Sequence, residues 1–254
     1  MKKRIITSFA SMRNKNDHSS NLETEILYGE EIKIIHRKGA WFYCRNIYDD
    51  YLGWIHKKHL GDYFKHTHII KNKNTIVYEK PDIKSKCLLK LYLNSKILVK
   101  NILEDWTEII LENTSKTGFL PTRHIKLNDN VNAKNWLDYT KDFIGTPYLL
   151  GGKTLQGIDC SGLVQLCLET NKIKLPRNTV DQVNFTSKNI YDTKVIEKGS
   201  ILFWKGHVAI ALNKSKIIHS NAYHMEVKVE PLKDAIKRIS MNSGKIIKIK
   251  KIIS

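Results

Sequence analysis

In the first half of the chain, short runs of alternating or apolar residues are separated by residues that favour turns, a pattern that predicts β-strands. The first set of predicted strands covers residues 25–28, 31–35, 41–44 and 51–55. A second set repeats this order, including a Trp-led strand, over residues 75–78, 95–99, 106–110 and 117–121. The repetition predicts two small all-β barrels, residues 1–63 and 64–128, each near the lower size limit for independent folding.

The pattern changes after residue 128, where apolar residues recur at helical spacing. One predicted helix runs from Trp136 to Ile144 and is stopped by Gly145, and another covers residues 163–168. Four strand-like runs follow, at residues 201–204, 208–212, 216–219 and 225–229. Helices followed by antiparallel strands predict an α+β domain over residues 129–254.

Composition and targeting signals narrow the classes of protein that fit. Of the 254 residues, 41% are hydrophobic and 27% are charged, as in an ordinary globular protein. No apolar run approaches the roughly 20 residues needed to span a bilayer, so no membrane span is expected. The basic N-terminus lacks an apolar stretch of signal-peptide length, and we therefore expect a cytoplasmic protein.

The net charge of +18 raises the question of an anionic partner. The excess is mostly lysine spread over the whole length, together with many Ile and Asn residues, as a compositionally biased genome would produce. We therefore expect no nucleic-acid partner, but attraction of small acidic substrates. Four cysteines, Cys44, Cys87, Cys160 and Cys167, are too scattered for a disulfide framework or a zinc site. Cys44 and Cys87 are expected to be half-buried apolar residues.

Cys160 stands where a glycine-rich turn leads into a predicted helix. The unpaired backbone N–H groups and the positive end of the helix dipole favour the thiolate and can lower a cysteine pKa below about 8.5. This position therefore predicts a nucleophile, although a buried apolar thiol at a helix start is an equally open interpretation. Cys167, flanked by leucines, is expected in the core.

A cysteine nucleophile needs an imidazole that a third group holds in one tautomer. His207 opens one predicted strand and His219 ends the next, so adjacent antiparallel strands would bring the two rings side by side. Either could instead be an ordinary edge histidine, and His224, in the following turn, is a weaker candidate. The histidines and carboxylates show no metal-binding pattern, so no metal or other cofactor is expected.

These motifs, in this order, resemble those of the NlpC/P60 cysteine peptidases, which have a papain-like core and cleave bonds in bacterial cell-wall peptides. The motifs lie at residues 145–152, 159–163, 175–177, 199–203, 207–208 and 218–219. Residues 1–63 resemble the bacterial SH3 domain of the subgroup that hydrolyses γ-D-glutamyl–diamino acid bonds. Residues 64–128 resemble a second, more divergent bacterial SH3 domain.

The resemblance implies catalytic roles for four residues. Cys160 would be the nucleophile, His207 the general base and then acid, and His219 the group that orients His207. Tyr148, with the backbone N–H of Cys160, is a candidate donor to the oxyanion, or else a tyrosine that packs under the helix.

The resemblance also implies residues that bind the substrate. Asp159 and Ser161 match positions that bind the free amino terminus of the peptide, although a carboxylate also suits a helix N-terminus. Thr179 is a candidate for the pocket wall or a helix cap. Tyr51 matches a tyrosine that the first SH3 domain contributes to the pocket.

Three positions depart from the pattern of the family. Asn21 stands where an acidic residue is common, with Glu23 as a possible substitute. Leu150 and Ser200 stand where Trp and Asp are common. These departures leave the three catalytic residues intact but affect the choice of peptide.

The resemblance therefore implies a cysteine peptidase that cuts the γ-D-glutamyl–diamino acid bond of peptides with a free N-terminal L-Ala. The absence of an export signal favours recycling of murein peptides, and we expect a monomer. One alternative is a binding module, in which the SH3 domains hold a wall peptide or a protein partner beside an inactive core. The joint presence of Cys160, His207 and His219 argues against it. Another alternative is an amidase or acyltransferase, because one thioester intermediate can serve either acceptor.

Overall fold

Strands dominate the computed structural model, which describes residues 1–111, 116–128 and 135–252. The chain divides into two units, Met1–Val131 and Asn132–Ser254. The first unit holds two seven-stranded antiparallel sheets, and the second holds a six-stranded sheet with helices. The fold is therefore mixed, with mostly strands and few helices. The boundary expected after residue 128 adjoins residues outside the described ranges, and it stays a prediction together with the boundary after residue 63.

The first sheet folds from the N-terminal segment. Its strands are β1 (Lys2–Ile5), β2 (Phe9–Arg13), β3 (Leu22–Leu27), β4 (Glu31–Lys38), β5 (Trp41–Asn46), β6 (Leu52–His56) and β7 (Leu60–Asp62). They lie in the order β3-β2-β6-β5-β4-β1-β7. Because side chains alternate along a strand, one face of each strand supplies the core. That core consists of Ile5, Ala10, Met12, Ile26, Ile32, Cys44 and Ile55.

The second sheet repeats the topology of the first. Its strands are β8 (His68–Ile70), β9 (Asn74–Tyr78), β10 (Cys87–Tyr92), β11 (Lys96–Leu103), β12 (Trp106–Ile110), β13 (Thr117–Pro121) and β14 (Ile125–Leu127). Their order is β10-β9-β13-β12-β11-β8-β14, which is the order of the first sheet when each set is numbered along the chain. The repeated pattern in the sequence thus corresponds to a repeated strand order.

Some strands lie outside the segments that the pattern predicted. They are β1, β2, β7, β8, β10 and β14. Three of them have only three residues, too few to show an alternation. In β1 the inward-facing Arg4 breaks the apolar pattern. It is buried because its guanidinium donates to the backbone carbonyl oxygens of Asp62 and Leu111.

Tyr28 and Gly29 join the two sheets of the first unit. The Tyr28 ring is buried in the core of the second sheet, and its hydroxyl donates to the carbonyl oxygen of Leu111 at 3.1 Å. The Lys96 backbone N–H donates to the carbonyl oxygen of Tyr28 at 2.8 Å. Gly29 has a φ of 75°, and a Cβ there would overlap the Lys96 carbonyl group. Each sheet has its own core, and Tyr28 extends from the first sheet into the core of the second, beside one close backbone contact.

Replacing Tyr28 with alanine is expected to destabilise the first unit by about 3–5 kcal/mol, because a buried aromatic ring leaves a cavity between the sheets. Tyr28→Phe, which removes the hydroxyl that donates to Leu111, should cost about 1 kcal/mol. Urea unfolding of the full chain measures both values. Tyr191→Ala, at an exposed position of the second unit, is the control, and an equal loss in both alanine variants would contradict the role of Tyr28 in the core of the second sheet.

Within the described residues of the second unit, four α-helices pack with the third large sheet. The helices are α1 (Trp136–Lys141), α2 (Cys160–Glu169), α3 (Thr179–Asn184) and α4 (Leu232–Ser243). The strands are β15 (Lys153–Thr154), β16 (Gly157–Ile158), β17 (Ile190–Thr193), β18 (Ile201–Trp204), β19 (His207–Ala211), β20 (Lys216–Asn221), β21 (Glu226–Pro231) and β22 (Lys248–Ile252). The sheet order is β17-β22-β18-β19-β20-β21, and the small pair β15-β16 precedes α2.

The second unit differs from the predicted elements in the end of α1 and in the place of α4. α1 ends at Lys141 rather than Ile144, because residues 142–145 form turns and Gly145 has a φ of 80°. The expected order of helices before strands is wrong for α4, which follows β21 and precedes β22. Its buried residues Leu232, Ala235 and Ile239 stand at helical spacing, a signal that the sequence offered.

Two further expectations concern cysteine burial and membranes. Cys44 is fully buried in the core of the first sheet, and Cys87 is exposed at a bulge where β10 begins, so the half-buried expectation is wrong for both. In the described part of the chain, every helix falls short of the length and apolarity that crossing a bilayer requires.

Candidate active site

Cys160 is the first residue of α2 and lies against the strand that carries His207. Its side chain is 7% exposed. The backbone N–H of Val208, the residue after His207, donates to Sγ. Thr179 Oγ1, at the start of α3, lies 3.8 Å from the same sulfur. Three elements, α2, α3 and β19, therefore meet at the thiol.

The acidity of the thiol differs from the expectation. Burial raises the pKa of Cys160 to about 11, and the negative charge of Asp159 acts in the same direction. The Val208 N–H, Thr179 and Arg177 act the other way but are outweighed. The lowered pKa expected from the helix N-terminus is therefore wrong for the free protein, because loss of water around the sulfur dominates. The resting thiol is neutral.

His207 and His219 form the hydrogen-bonded pair that the strand pattern predicted. β19 and β20 are antiparallel neighbours, with Ile210 opposite Ile218. His207 Nε2 and His219 Nδ1 are 2.7 Å apart. Burial lowers the pKa of His207 to about 3 and also lowers the pKa of His219. Both imidazoles are therefore neutral near neutral pH.

Glu230 and Arg238 extend this pair, and the sequence analysis missed both. His219 Nε2 lies 2.6 Å from Glu230 Oε1, and Arg238 Nη2 donates to the same oxygen. Burial opposes ionisation of Glu230, but the hydrogen bond from His219 and the charges of His219 and Arg238 leave the pKa of the carboxyl lowered. Glu230 follows directly after the last predicted strand, so extending that strand by one residue would have placed Glu230 on the strand that pairs with the one carrying His219.

The carboxylate fixes the protonation of both rings. An ionised carboxylate only accepts hydrogen bonds, so His219 carries its proton on Nε2 and accepts at Nδ1. His207 must then donate from Nε2, which leaves the lone pair of its Nδ1 free of a proton. The arrangement Arg238–Glu230–His219–His207 thus presents a base at His207 Nδ1.

Asp159 and Arg177 form a closed polar network behind Cys160. Asp159 is the N-cap of α2, and its Oδ1 accepts from the Gly162 backbone N–H at 2.7 Å. Arg177 donates to both carboxylate oxygens, at 2.9 and 2.8 Å, and to Ser161 Oγ at 2.9 Å. Asp159, Ser161 and Arg177 are all buried. Binding of a substrate amine by Asp159 and Ser161 stays a prediction, and it would require the carboxylate to be shared with this network.

The other predicted site residues, Tyr148, Thr179 and Tyr51, lie in three different environments. Tyr148 is half-buried. Burial is the main cause that raises the pKa of its hydroxyl to about 12, and the negative charge that Cys160 acquires when it ionises at high pH adds to it. The hydroxyl therefore stays protonated near neutral pH and can donate. Thr179 is the first residue of α3, whereas Asn178 occupies the N-cap, so the helix-cap interpretation of Thr179 is wrong. Tyr51 lies in the first unit, where its hydroxyl donates to Glu23 Oε2 at 2.8 Å. Its role in the pocket stays a prediction.

Two of the departures from the family pattern have a clear environment. Leu150 is 70% exposed, so an apolar side chain faces solvent where the family often has Trp. Ser200 is buried, and its hydroxyl accepts from the Glu197 backbone N–H at 3.0 Å. Ser200 therefore supports the turn before β18.

One trio of described residues has the spacing of metal ligands. Ligand atoms of His219, His224 and Glu230 lie within 4.8 Å of one another. Both ring nitrogens of His219 are hydrogen-bonded, however, and Arg238 shares the Glu230 carboxylate. A cation here would have to displace the proton between His219 and Glu230.

Comparison with known proteins finds two family models that match parts of the chain. Residues 145–242 match the model of the NlpC/P60 family, and residues 12–60 match that of the bacterial dipeptidyl-peptidase Sh3 domain. These matches confirm the resemblance that the motifs indicated.

Two curated relatives are similar to this chain over most of its length. A dipeptidyl-peptidase 6 from Lysinibacillus sphaericus is 28% identical over 250 residues, covering 90% of each chain. A γ-D-glutamyl-L-lysine dipeptidyl-peptidase from Bacillus cereus is 26% identical over 247 residues, covering 85% of this chain and 72% of the relative. The crystal structure of an NlpC/P60 family protein from Bacillus cereus has a TM-score of 0.83 at 19% identity, covering 100% of both chains, and shows the same fold.

Proposed function

Because the chain carries an NlpC/P60 domain and a bacterial dipeptidyl-peptidase SH3 domain, we propose that it is a cysteine peptidase acting on peptidoglycan-derived peptides. The bond that it cuts is the γ-D-glutamyl–diamino acid bond of peptides with a free N-terminal L-Ala. The name of the Bacillus cereus relative, a γ-D-glutamyl-L-lysine dipeptidyl-peptidase, supports this specificity. The observation that carries the proposal is the contact of Cys160 with the backbone of β19, next to a histidine pair 2.7 Å apart.

The proposal extends to organisation and biological role. The second sheet is a second SH3-like barrel, since its strand order equals that of the first. Residues 129–254 form a papain-like catalytic domain. The protein works as a cytoplasmic monomer without a cofactor and recycles murein peptides.

The chemistry begins with a neutral thiol and a neutral imidazole. His207 Nδ1 takes the thiol proton while Sγ attacks the γ-carbonyl carbon of D-glutamate, so a buried thiolate need not exist beforehand. The Cys160 backbone N–H and the Tyr148 hydroxyl are the donors to the oxyanion. The imidazolium is stabilised through His219 by the Glu230 carboxylate.

Breakdown of the tetrahedral intermediate reverses the role of His207. The imidazolium gives its proton to the nitrogen of the diamino acid, the C–N bond breaks, and the acyl group remains on Sγ as a thioester. Water then attacks the thioester while His207 again takes a proton, which releases the dipeptide and restores the thiol. The net reaction consumes one water molecule.

Incubating the protein with L-Ala-γ-D-Glu-meso-diaminopimelate tests the proposal. Mass spectrometry should detect L-Ala-D-Glu and free diaminopimelate as the products. Acetylating the N-terminal alanine should slow cleavage by about 100-fold or more, because the groups that pair with the amine would lose their partner. Binding of the intact peptide without products would favour the binding-module alternative. Equal rates for both substrates would contradict the requirement for a free amine.

A further inference from the structure

A cavity of about 260 Å³ opens beside His207. Its wall includes Tyr148 and His207 from the proposed catalytic centre, and Asn221 and Tyr223 from the end of β20 and the turn after it. Arg238 and Asn242, on α4, complete the polar part of the wall. The mechanism above assigns no role to this space.

The position of His207 decides which part of the substrate this cavity can receive. His207 must deliver a proton to the nitrogen of the departing amino acid, so that amino acid has to lie next to the imidazole. The cavity is bounded by the same imidazole. By contrast, Asp159, Ser161 and Thr179, implied in holding the acyl part, are not among its lining residues. The cavity is therefore on the leaving-group side.

The lining favours a negatively charged group. Arg238 carries the only formal charge among the described lining residues, and its side chain is 23% exposed. The guanidinium has five N–H donors, so its bond to Glu230 leaves others for a ligand. None of the described lining residues is acidic.

Asn221 supplies a second donor. It is 4% exposed, and its Nδ2 is buried with no hydrogen-bond partner among the described residues. The orientation of the amide is fixed, because Oδ1 accepts from the His224 backbone N–H at 2.9 Å. A buried amide donor without a partner costs about 1–3 kcal/mol, a cost that an acceptor on a bound ligand would relieve.

We propose that this cavity is the subsite for a carboxylate on the leaving part of the peptide, bound by Arg238 and Asn221. The protein then prefers a leaving residue whose side chain carries a carboxylate beside its ammonium group, as in diaminopimelate, over one whose side chain carries the ammonium group alone, as in lysine. This inference rests on the proposed function. The same chemistry could come from the carboxylate at the peptide's C-terminus, and the substrates below separate the two sources.

Four tripeptides test the subsite: L-Ala-γ-D-Glu linked to diaminopimelate, to diaminopimelate amidated on its side-chain carboxyl, to diaminopimelate amidated on its C-terminal carboxyl, and to L-lysine. We expect kcat/KM to fall at least about tenfold for lysine and for the side-chain amide, as for a hydrogen-bonded charge. A fall for the C-terminal amide alone would overturn the side-chain preference. Equal rates for all four would overturn the subsite, whereas no cleavage of any would overturn the proposed function.

Variants of an exposed residue in the cavity wall change the charge of the cavity without replacing a proposed catalytic residue. Asn242 lines the cavity and is exposed, so Asn242→Asp and Asn242→Lys should both fold. The aspartate should lower the ratio of kcat/KM for diaminopimelate to that for its side-chain amide by about threefold or more, and the lysine should raise it. Met241→Asp and Met241→Lys are matched controls, because Met241 is 73% exposed and does not line the cavity. Equal shifts at both positions, or none at Asn242, would overturn the proposal.

Arg238→Gln adds a second readout. Since Arg238 also holds Glu230, this variant should slow all four substrates. Loss of the subsite should in addition bring the ratio of kcat/KM for the diaminopimelate peptide to that for its side-chain amide close to one. A uniform slowing that preserves the ratio would show that Arg238 acts on Glu230 alone and would overturn its role in the subsite.

Discussion

Replacing Cys160 with alanine is expected to reduce hydrolysis of L-Ala-γ-D-Glu-meso-diaminopimelate to background, a loss of at least about 10⁴-fold in kcat/KM. No other described side chain at the meeting point of α2, α3 and β19 can form the thioester: Thr179 has a neutral hydroxyl 3.8 Å from the sulfur. Product release followed by mass spectrometry over hours measures the residual rate. Circular dichroism should show an unchanged fold, because alanine suits the first turn of a helix.

Two other cysteines serve as controls for this loss. Cys167→Ala removes a fully buried thiol from the same helix, and should cost about 1–2 kcal/mol of stability while keeping kcat. Cys87→Ala changes an exposed thiol in the first unit and should change neither. Residual activity of Cys160→Ala above that of a heat-treated sample would contradict the assignment of the nucleophile.

Replacing Glu230 with glutamine is expected to lower kcat/KM by about 10²- to 10⁴-fold, although Glu230 does not touch the substrate in the proposed mechanism. Arg238 and His219 both contact the same carboxylate oxygen, so the amide oxygen of glutamine would take its place and the tautomers of the two histidines would stay unchanged. The imidazolium of His207 would lose the negative charge that stabilises it through His219. The side chain keeps its size, so the loss would come from the missing charge.

Nitrogen NMR of the two histidines separates this electrostatic role from a change of tautomer. Because burial lowers the pKa of His207 to about 3, the ring is deprotonated at neutral pH and the signal reports the tautomer rather than an imidazolium. His207 Nδ1 should appear unprotonated both in the original protein and in Glu230→Gln. Glu230→Asp, which keeps the carboxylate, should recover part of the rate. A slow glutamine variant in which His207 Nδ1 carries a proton would contradict the electrostatic role.

Local patterns in the sequence were sufficient for the parts of the site that lie on regular elements. Short apolar runs predicted the paired strands that carry His207 and His219, and the glycine-rich turn predicted the helix start at Cys160. The family motifs then indicated how these pieces combine. Each of these signals extends over only a few neighbouring residues, which is why they can be detected without coordinates.

The acidity of Cys160 depends instead on tertiary structure. The helix N-terminus is visible in the sequence, but the burial that raises the thiol pKa to about 11 results from packing of α3 and β19 around the sulfur. The roles of Glu230 and Arg238 also depend on tertiary structure. They come from β21 and α4, and only the folded sheet brings Glu230 to His219. Local periodicity carries no information about such meetings between distant segments.

The joint at Tyr28 and Gly29 restricts how this architecture can evolve. A recombination event that deleted or exchanged the second sheet would leave the Tyr28 ring in water and the Lys96 contact unmade. An incoming replacement would need a pocket for that ring and a carbonyl able to approach a glycine. The tandem repeat should therefore be inherited as a single cassette, with residues 28 and 29 changing only in concert with their partners around Lys96 and Leu111.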